Sequence, residues 1–292
     1  MELIPAAEFT LQALADAYNE TRIDYIIPMP MTVQRLRDYI DVYDIDLSCS
    51  CAAASDDEIL GLGMLGLRRE RAWVTRLGVL PSGRRQGVGS AIMGFLLEAA
   101  CRHGAPLTWL EVIDGNNPAH ELFRSLYFVE TRMLIVARRP PRFPEMAPGE
   151  PAARLQVRNV RTLDHRATVA LLADRRDAPN WINQTESVRN ATGVSALVVE
   201  TGDGGAGWVT YKASLLRLTR IIVDVQQGDP AEVTSTILRT LHAYYPTQDA
   251  IAENIPVDDP KWAGFVDAGY FEAFRRIEMV KEMAGWTQTG SN

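Results

Sequence analysis

The chain is poor in cysteine and histidine, and this scarcity excludes several classes of protein. Its 292 residues include 3 cysteines and 4 histidines. An odd, sparse set of cysteines does not form a disulfide framework, so we expect a reducing, cytoplasmic setting. Cys49 and Cys51 are predicted to share one face of a strand, as small buried side chains. With no Cys-x-x-Cys pair and scattered histidines, the sequence predicts no metal site.

The chain also lacks an excess of positive charge and any long apolar run. Lys and Arg number 30 against 37 Asp and Glu, which gives a net charge of -7. This balance argues against a general nucleic-acid binder, which needs a basic surface. No apolar run approaches the roughly 20 residues that span a bilayer, and residues 1–10 do not resemble a signal peptide. We therefore expect neither nucleic acid nor membrane as a partner.

Proline, by contrast, is concentrated near the middle of the chain. Five prolines lie between Arg138 and Arg154. Because proline fixes φ and lacks an N–H group, neither a helix nor a central strand is expected to run through this stretch. The length suggests about two domains. The sequence therefore predicts a first domain at 1–139, a Pro-rich linker at 140–153 and a second domain at 154–292.

The two halves have similar orders of predicted elements. The first half is predicted to contain, in order, two helices, three strands, a helix, a strand, a helix and a strand. Thr10 and Thr32 are predicted N-caps of the first two helices, and Gly104 is predicted to end the third helix. The second half repeats this order more faintly. The segment "NPAHELFRSLYFVETRM" aligns with "DPKWAGFVDAGYFEAFR" at a shift of 142 positions. The repeat indicates an internal duplication.

Residues 77–100 join a predicted strand to a helix through a glycine-rich turn. Gly87 and Gly89 allow a tight turn and the close approach of a ligand. The N–H groups at the start of the next helix, with the positive end of its dipole, suit a pyrophosphate. Arg84 and Arg85 add positive charge. A simple strand-to-helix turn would also explain the glycines, and the spacing fits neither a P-loop nor a dinucleotide-binding fold.

The run Arg84-Arg85-Gln86-Gly87-Val88-Gly89 resembles motif A, Arg/Gln-x-x-Gly-x-Gly/Ala, of the GCN5-related N-acetyltransferases (GNAT). The preceding "LGVLP" and the later "LEVIDGNNPAHELF" are also similar to that family, so the likeness covers the first half. It implies an α/β (α+β) fold of two tandem GNAT-like domains, each a mixed, mostly antiparallel sheet flanked by helices. It further implies acetyl transfer from acetyl-coenzyme A, without a metal, to a primary amine of a small molecule or peptide.

The resemblance also implies where the coenzyme binds. Its pyrophosphate would lie on the N–H groups of residues 86–90, and its pantetheine arm would pair with the backbone of residues 77–79. The Val79 N–H would then polarise the thioester carbonyl, and Asn116 would orient the arm. The candidate coenzyme contacts are Leu77, Gly78, Val79, Arg84, Arg85, Gln86, Gly87, Val88, Gly89, Ser90, Asn116 and Phe123.

Two residues are candidates for proton transfer. In similar ribosomal-protein N-acetyltransferases the Glu of this "LEV" is the general base, which implies that role for Glu111. Alternatively, Glu111 is a strand-end carboxylate that binds an arginine or a backbone N–H. The family's usual acid, a Tyr, is replaced by Phe123. Three explanations stay open. The thiolate, with a pKa near 8.5, leaves without a dedicated acid; or Tyr127, one helical turn later, donates the proton; or catalysis is weak or absent. Alternatively to the second, Tyr127 is a packing aromatic residue.

The acceptor is expected beside "NETRIDYIIPMPMT". Tyr25, Pro28 and the run from Met29 to Met31 would form an apolar wall. Asp24, Asp41, Asp44 and Asp46 are either carboxylates that attract a cationic amine or solvated surface residues. The sequence does not name the acceptor.

The second half differs at the loop. The position of Arg84 corresponds to Gln226, the spaced glycines are absent, and Asp229-Pro230 predicts an N-cap and a first helical turn. Asp229 would repel a pyrophosphate. We therefore expect a degenerate GNAT-like copy without coenzyme, which either walls the acceptor site or forms a homodimer.

Two other functions compete with an amine acetyltransferase. A non-catalytic acyl-coenzyme A binding or sensor protein is favoured by Phe123. The other alternative is an acyltransferase whose acceptor is not an amine. Tandem proteins of the mycothiol-synthase type belong to this superfamily, but there the second copy is generally the active one, which is the reverse of the arrangement expected here.

Overall fold

The computed structural model describes residues 1–55, 58–142, 156–175 and 177–283. Its contacts divide the chain into two compact units. The first unit comprises Met1–Thr131 and Ile277–Asn292, and the second comprises Arg132–Arg276. Within the described part of the chain, no helix has the length and apolar character that crossing a bilayer requires.

The first unit is a mixed sheet with helices packed on it. Its strands are β1 Glu2–Pro5, β2 Cys51–Ser55, β3 Glu58–Arg68, β4 Arg71–Val79 and β5 Leu107–Ile113. Its helices are α1 Leu11–Glu20, α2 Val33–Tyr43, α3 Val88–Arg102 and α4 Asn117–Ser125. The strands follow the order β1-β2-β3-β4-β5, and residues 277–282 of β12 (Phe271–Glu282) come next. Neighbours from β1 to β4 are antiparallel, whereas β4 and β5 are parallel.

Local sequence signals explain most of these boundaries. Thr10 and Thr32 accept hydrogen bonds from the backbone N–H groups of the first turns of α1 and α2, as predicted, and Gly104 follows α3 with a φ of +80°. The prediction that Cys49 and Cys51 share a strand face is wrong. Strand β2 begins at Cys51, because the Asp46 carboxylate accepts the N–H of Cys49 at 3.2 Å and holds it in a turn.

The second unit has the same kind of sheet. Its strands are β6 Val129–Arg139, of which residues 132–139 belong here, β7 Val157–Leu163, β8 Ser195–Thr201, β9 Ala206–Ala213, β10 Arg217–Gln227 and β11 Asp249–Pro256. Its helices are α5 His165–Ala173, α6 Thr185–Asn190, α7 Pro230–Tyr244 and α8 Trp262–Asp267. The order is β6-β11-β10-β9-β8-β7. Only the β10–β11 pair among those with a described register is parallel.

Corresponding strands of the two units share an irregularity. In β4 the pairing with β3 shifts at Arg76, which has a φ of +55°. In β10 the pairing with β9 shifts at Arg220, which has a φ of +58°. An extra residue on one strand is a β-bulge, which bends the strand. The shared bulge and strand order confirm the predicted fold class, a mixed, mostly antiparallel sheet flanked by helices in each unit.

The domain boundaries themselves stay a prediction. Residues 143–155, which hold most of the proposed linker, lie outside the described residues. The compact units differ from 1–139 and 154–292 at their last strands, since residues 132–139 belong to the second unit and residues 277–282 to the first. Hydrophobic periodicity identifies these strands but does not say which sheet each one completes.

Candidate functional site

The end of β4 presents backbone groups to a gap in the first unit's sheet. The Leu80 N–H donates to the Leu60 carbonyl at 2.8 Å, beside the Gly61–Val79 pair. That pair is therefore of the non-hydrogen-bonded type, and the Val79 N–H and carbonyl point away from β3. Strand β5 pairs with β4 only over residues 71–73 and 107–109. Val79 thus faces the opening between the two strands.

Gly78 allows this part of β4 to lie close to the chain that follows α1. A Cβ atom at Gly78 would be 2.3 Å from the Thr21 hydroxyl oxygen. Any larger residue would push this segment away from the strand. Gly78, which belongs to the segment "LGVLP", therefore also has a packing role.

The turn after β4 leaves the start of α3 open. Pro81–Gly83 forms a 3₁₀ turn, and the backbone then passes through Arg85 and Gly87, which have φ values of +61° and +83°. Gly87 is the N-cap of α3, and no side chain caps the helix there. A Cβ at Gly87 would meet nothing within 4 Å. Space and uncapped N–H groups at a helix start are the features that bind phosphate.

Arg84 points away from this helix start. Its guanidinium forms two hydrogen bonds of 2.6 Å with the Asp24 carboxylate, and its Nε donates to the Val79 carbonyl at 3.2 Å. The hydrogen bond from Arg84 lowers the pKa of Asp24. The predicted position of Arg84 beside the phosphates is therefore not the one seen in this structure, where it links β4 to the segment after α1.

The segment after α1 also contacts β4 and Asn116. An Arg22 guanidinium nitrogen donates to the Leu77 carbonyl at 3.2 Å, and the Arg22 guanidinium lies 4.2 Å from the centre of the Tyr25 ring. The Asn116 side-chain amide donates to the Tyr25 hydroxyl at 3.3 Å. The structure thus brings together Leu77, Val79 and Asn116 with the loop that was expected to line the acceptor.

Glu111 lies just beyond the last paired residues of β4 and β5. Its Oε2 accepts a hydrogen bond of 2.7 Å from the Trp73 indole. The Trp73 ring in turn lies 5.6 Å from Tyr43 and 6.2 Å from Tyr39. Glu111 therefore has an indole partner that the sequence did not indicate, in addition to its predicted position where the strands separate.

Two aromatic residues considered in the sequence lie on α4 and in the turn after it. Helix α4 ends at Ser125, and Tyr127 has a φ of +65° with 82% of its surface exposed. The prediction that Tyr127 reaches the site along a helix face is wrong, because Tyr127 is not on the helix. Phe123 is buried and packs against Phe128, with ring centres 6.0 Å apart.

An arginine cage at the β4 bulge was missed by the sequence reading. The Arg76 guanidinium donates to the Tyr18 hydroxyl at 2.7 Å and lies 4.2 Å from the centre of the Tyr39 ring. The Tyr39 hydroxyl is 2.6 Å from Thr75 Oγ1, and burial raises the pKa of Tyr39 to about 12. The sequence signal for this cluster was Arg76, a charged residue inside the mostly apolar strand "RAWVTRLGV".

Two cations in this region have no acidic partner. Within the described residues, neither Arg22 nor Arg76 forms an ion pair, and the Nε of each is buried without a hydrogen-bond partner. The guanidinium of each also lies over the Tyr18 ring, at 4.6 and 5.3 Å from its centre. The acceptor side of the first unit is therefore cationic near β4.

Three of the four carboxylates predicted to attract a cationic amine have other partners. Asp24 binds Arg84, and Asp44 forms an ion pair of 2.6 Å with Arg68. Asp46 accepts the N–H groups of a local turn. Met31, which was predicted to belong to an apolar wall, is buried. Its backbone carbonyl and N–H form hydrogen bonds with the side-chain amide of Asn19. Among the described residues, no group of three or more His, Cys, Asp and Glu is placed to hold a metal.

Comparisons with known proteins show which family and which fold the chain resembles. Residues 13–128 match the family model described as the acetyltransferase (GNAT) family. A GCN5-related N-acetyltransferase from Sphaerobacter thermophilus has a TM-score of 0.68 at 18% identity, over 96% of this chain and 94% of that one. A tandem GNAT protein from the clavulanic acid biosynthesis pathway has a TM-score of 0.64 at 16% identity, over 98% and 99%.

A GCN5-related N-acetyltransferase from Kribbella flavida is also similar, with a TM-score of 0.53 at 16% identity over 96% of this chain and 70% of that one. No curated protein sequence matches the chain. The matches to solved structures are below 25% identity and show the fold. Residues 13–128 thus match the model of the acetyltransferase (GNAT) family, and the chain has the fold of these structures, a tandem GNAT protein among them, over almost its whole length.

Proposed function

We propose that the first unit transfers an acetyl group from acetyl-coenzyme A to a primary amine of a small molecule or peptide, by direct attack in a ternary complex. The observation that supports this most is the open start of α3 next to the outward-facing backbone of Val79. A helix start binds the pyrophosphate, and an N–H that faces a gap binds the thioester oxygen.

The coenzyme would use the backbone of this unit. The N–H groups of residues 86–90 bind the pyrophosphate, and the pantetheine arm pairs with residues 77–79. In the present structure Arg22 and Arg84 donate to the carbonyls of Leu77 and Val79. Because the arm's amide N–H groups need carbonyl acceptors on β4, both guanidiniums release them when it binds. Arg84 keeps its ion pair with Asp24 when it releases the Val79 carbonyl.

The chemical step needs one proton acceptor. The amine nitrogen attacks the thioester carbonyl carbon, a C–N bond forms and the C–S bond breaks. Glu111 accepts the amine proton, directly or through a water, and the Val79 N–H stabilises the oxyanion. The thiolate leaves with the bonding electrons and takes a proton from water, since its pKa is near 8.5 and neither Phe123 nor Tyr127 is placed to donate one.

The charges near β4 indicate the class of acceptor. Arg22 and Arg76 lack acidic partners, whereas the nearby carboxylate Asp24 is paired. We therefore propose an acceptor that has a carboxylate or another acidic group besides its amine. Unpaired cations also lower the pKa of a nearby ammonium, which favours the neutral amine required for attack.

A panel of matched amines tests this function. Release of free coenzyme A thiol is measured with amino acids and with their uncharged amides, using wild type and the Arg76→Met variant. We expect wild type to acetylate the amino acids faster than the amides, and Arg76→Met to lose that preference. Binding of acetyl-coenzyme A without thiol release for any amine would instead support the acyl-coenzyme A sensor, which the lack of a placed acid favours.

A further inference from the structure

The proposed transfer gives no role to Trp73, the buried residue whose indole contacts the base Glu111. Trp73 lies opposite Trp109 in the parallel pairing of β4 with β5. Because opposite residues share a face of the sheet, and residues two apart on a strand do too, Glu111 projects from the same face as Trp73. The indole N–H donates to Glu111 Oε2 at 2.7 Å. The sheet therefore places Trp73 against the carboxylate at the point where the two strands separate.

The Trp73 ring is held in turn by two tyrosines of α2. Tyr39 and Tyr43 are four residues apart, so they share a face of the helix. Their ring centres lie 6.2 and 5.6 Å from that of Trp73, and the Tyr39 hydroxyl is 2.6 Å from Thr75 Oγ1. Only 3% of the Trp73 surface is exposed. A side chain packed in this way stays in one rotamer, so its N–H keeps one direction.

An indole can orient a base without competing with it. Its N–H is a donor only, so it binds a carboxylate oxygen and takes no part in proton exchange. It is uncharged, and it therefore favours the ionised carboxylate less strongly than a guanidinium does. The neighbouring phenol does not compete either. Burial raises the pKa of Tyr39 to about 12, and the charge of Glu111 adds to this shift, so Tyr39 stays protonated near neutral pH.

We propose that Trp73 is a positioning residue for the acetyl transfer, whose N–H holds the Glu111 carboxylate in the orientation that accepts the amine proton. This role rests on the transfer proposed for the first unit. The amine proton passes to Glu111 as the C–N bond forms, and the indole proton stays on its own nitrogen throughout. General-base catalysis depends on such fixed geometry, because the base must stay within hydrogen-bond reach of the proton it removes.

A double-mutant cycle tests the role, because a residue that acts through Glu111 has no further effect once Glu111 is replaced. Trp73→Phe keeps a buried aromatic ring and removes the N–H. Release of coenzyme A thiol gives kcat for Trp73→Phe, Glu111→Gln and the double variant. We expect Trp73→Phe to lower kcat about tenfold in the wild-type chain, as for one lost hydrogen bond to a charged group, and less than about twofold in the Glu111→Gln chain. The KM for acetyl-coenzyme A should stay unchanged, since the coenzyme is proposed to bind residues 77–79 and 86–90.

The matched control makes the same substitution in the other unit. Trp208 is a tryptophan with 1% of its surface exposed, and Trp208→Phe should leave kcat unchanged. Equal losses from Trp73→Phe in the wild-type and Glu111→Gln chains would show a purely structural effect and overturn the proposal. If Trp73→Phe unfolds in a thermal melt, Tyr43→Leu, which loosens the same ring, takes its place in the cycle with the same expectations.

Failure of the transfer itself would look different from failure of the positioning role. If wild type releases no thiol with any amine, the transfer and this role fall together. Normal turnover by wild type with an unchanged kcat in Trp73→Phe would overturn the positioning role alone. The contact is checked without turnover by ¹⁵N NMR, in which the Trp73 indole resonance, identified by its loss in Trp73→Phe, should shift in Glu111→Gln. An unshifted resonance would also overturn the proposal.

Discussion

The helices that follow the two bulged strands begin in different ways. In the first unit α3 begins after Gly87 without a side-chain cap. In the second unit the Asp229 carboxylate accepts the N–H groups of Ala231 and Glu232, at 3.0 and 2.9 Å, at the start of α7. A capped start is more stable, and an uncapped one is available to an anion. One fold therefore supports either a ligand site or a self-satisfied helix, depending on a single position.

The glutamates of the corresponding strands differ in the same sense. The shift of 142 positions that relates the two halves places Glu253 at the position of Glu111. Glu111 accepts from a neutral indole, whereas Glu253 forms a salt bridge of 2.9 Å with Arg276. A guanidinium favours the ionised carboxylate more strongly than an indole does.

The largest expected effect separates these two glutamates. Glu111→Gln should lower kcat by about 100-fold or more, because it removes a general base, and should abolish the low-pH limb of the rate profile. Glu253→Gln is the matched control and should leave both unchanged. Steady-state assays across pH measure the difference. If the two variants behave alike, Glu111 is not the base. Tyr127→Phe should also leave turnover unchanged.

A second prediction concerns a variant in which the first unit has a capping carboxylate at its helix start, as the second unit does. Gly87→Asp places a carboxylate at the start of α3, where it competes for the N–H groups and repels the pyrophosphate. We expect acetyl-coenzyme A to bind about 100-fold more weakly, which corresponds to the loss of one or two charge-assisted hydrogen bonds. Titration calorimetry measures this.

The control for that variant is Gly87→Asn, which has the same shape and the same strain at a φ of +83° but no charge. Its binding should remain much closer to that of wild type. Equal losses in Gly87→Asp and Gly87→Asn would attribute the effect to backbone strain or to capping by the side-chain oxygen that both residues have, and would remove the argument from charge.

The smallest expected effect concerns the capped helix. Asp229→Ala removes the α7 cap and should reduce the free energy of unfolding by about 1 kcal/mol. Asp258→Ala, at an exposed position in the same unit, is the control. Urea unfolding followed by circular dichroism measures both. No loss of stability in Asp229→Ala would mean that the cap does not explain why this helix start differs.

Local signals in the sequence predicted the elements that govern this comparison. Thr10, Thr32, Asp229 and the glycines of the loop act within one helical turn, so spacing alone identifies them. Long-range contacts were not predictable in this way. The Glu111–Trp73 and Arg84–Asp24 pairs join residues 38 and 60 positions apart.

The errors have physical causes too. Tyr127 was placed on a helix because periodicity continued past Ser125, whereas the left-handed residue ends that pattern. The short strand β1 carries only four residues and was not predicted. The exchange of the last strands between the compact units depends on pairing across the chain, which hydrophobic patterns do not encode. The predicted roles of the second half, walling the acceptor site or dimerisation, stay predictions.

The central difference between the units is tested most directly by a crystal structure of the full chain with acetyl-coenzyme A. We expect one coenzyme per chain, with its pyrophosphate on the N–H groups of residues 86–90 and its thioester oxygen at the Val79 N–H. The start of α7, capped by Asp229, should hold no coenzyme. A pyrophosphate at α7, or a coenzyme that leaves the start of α3 empty, would contradict the assignment of acetyl transfer to the first unit.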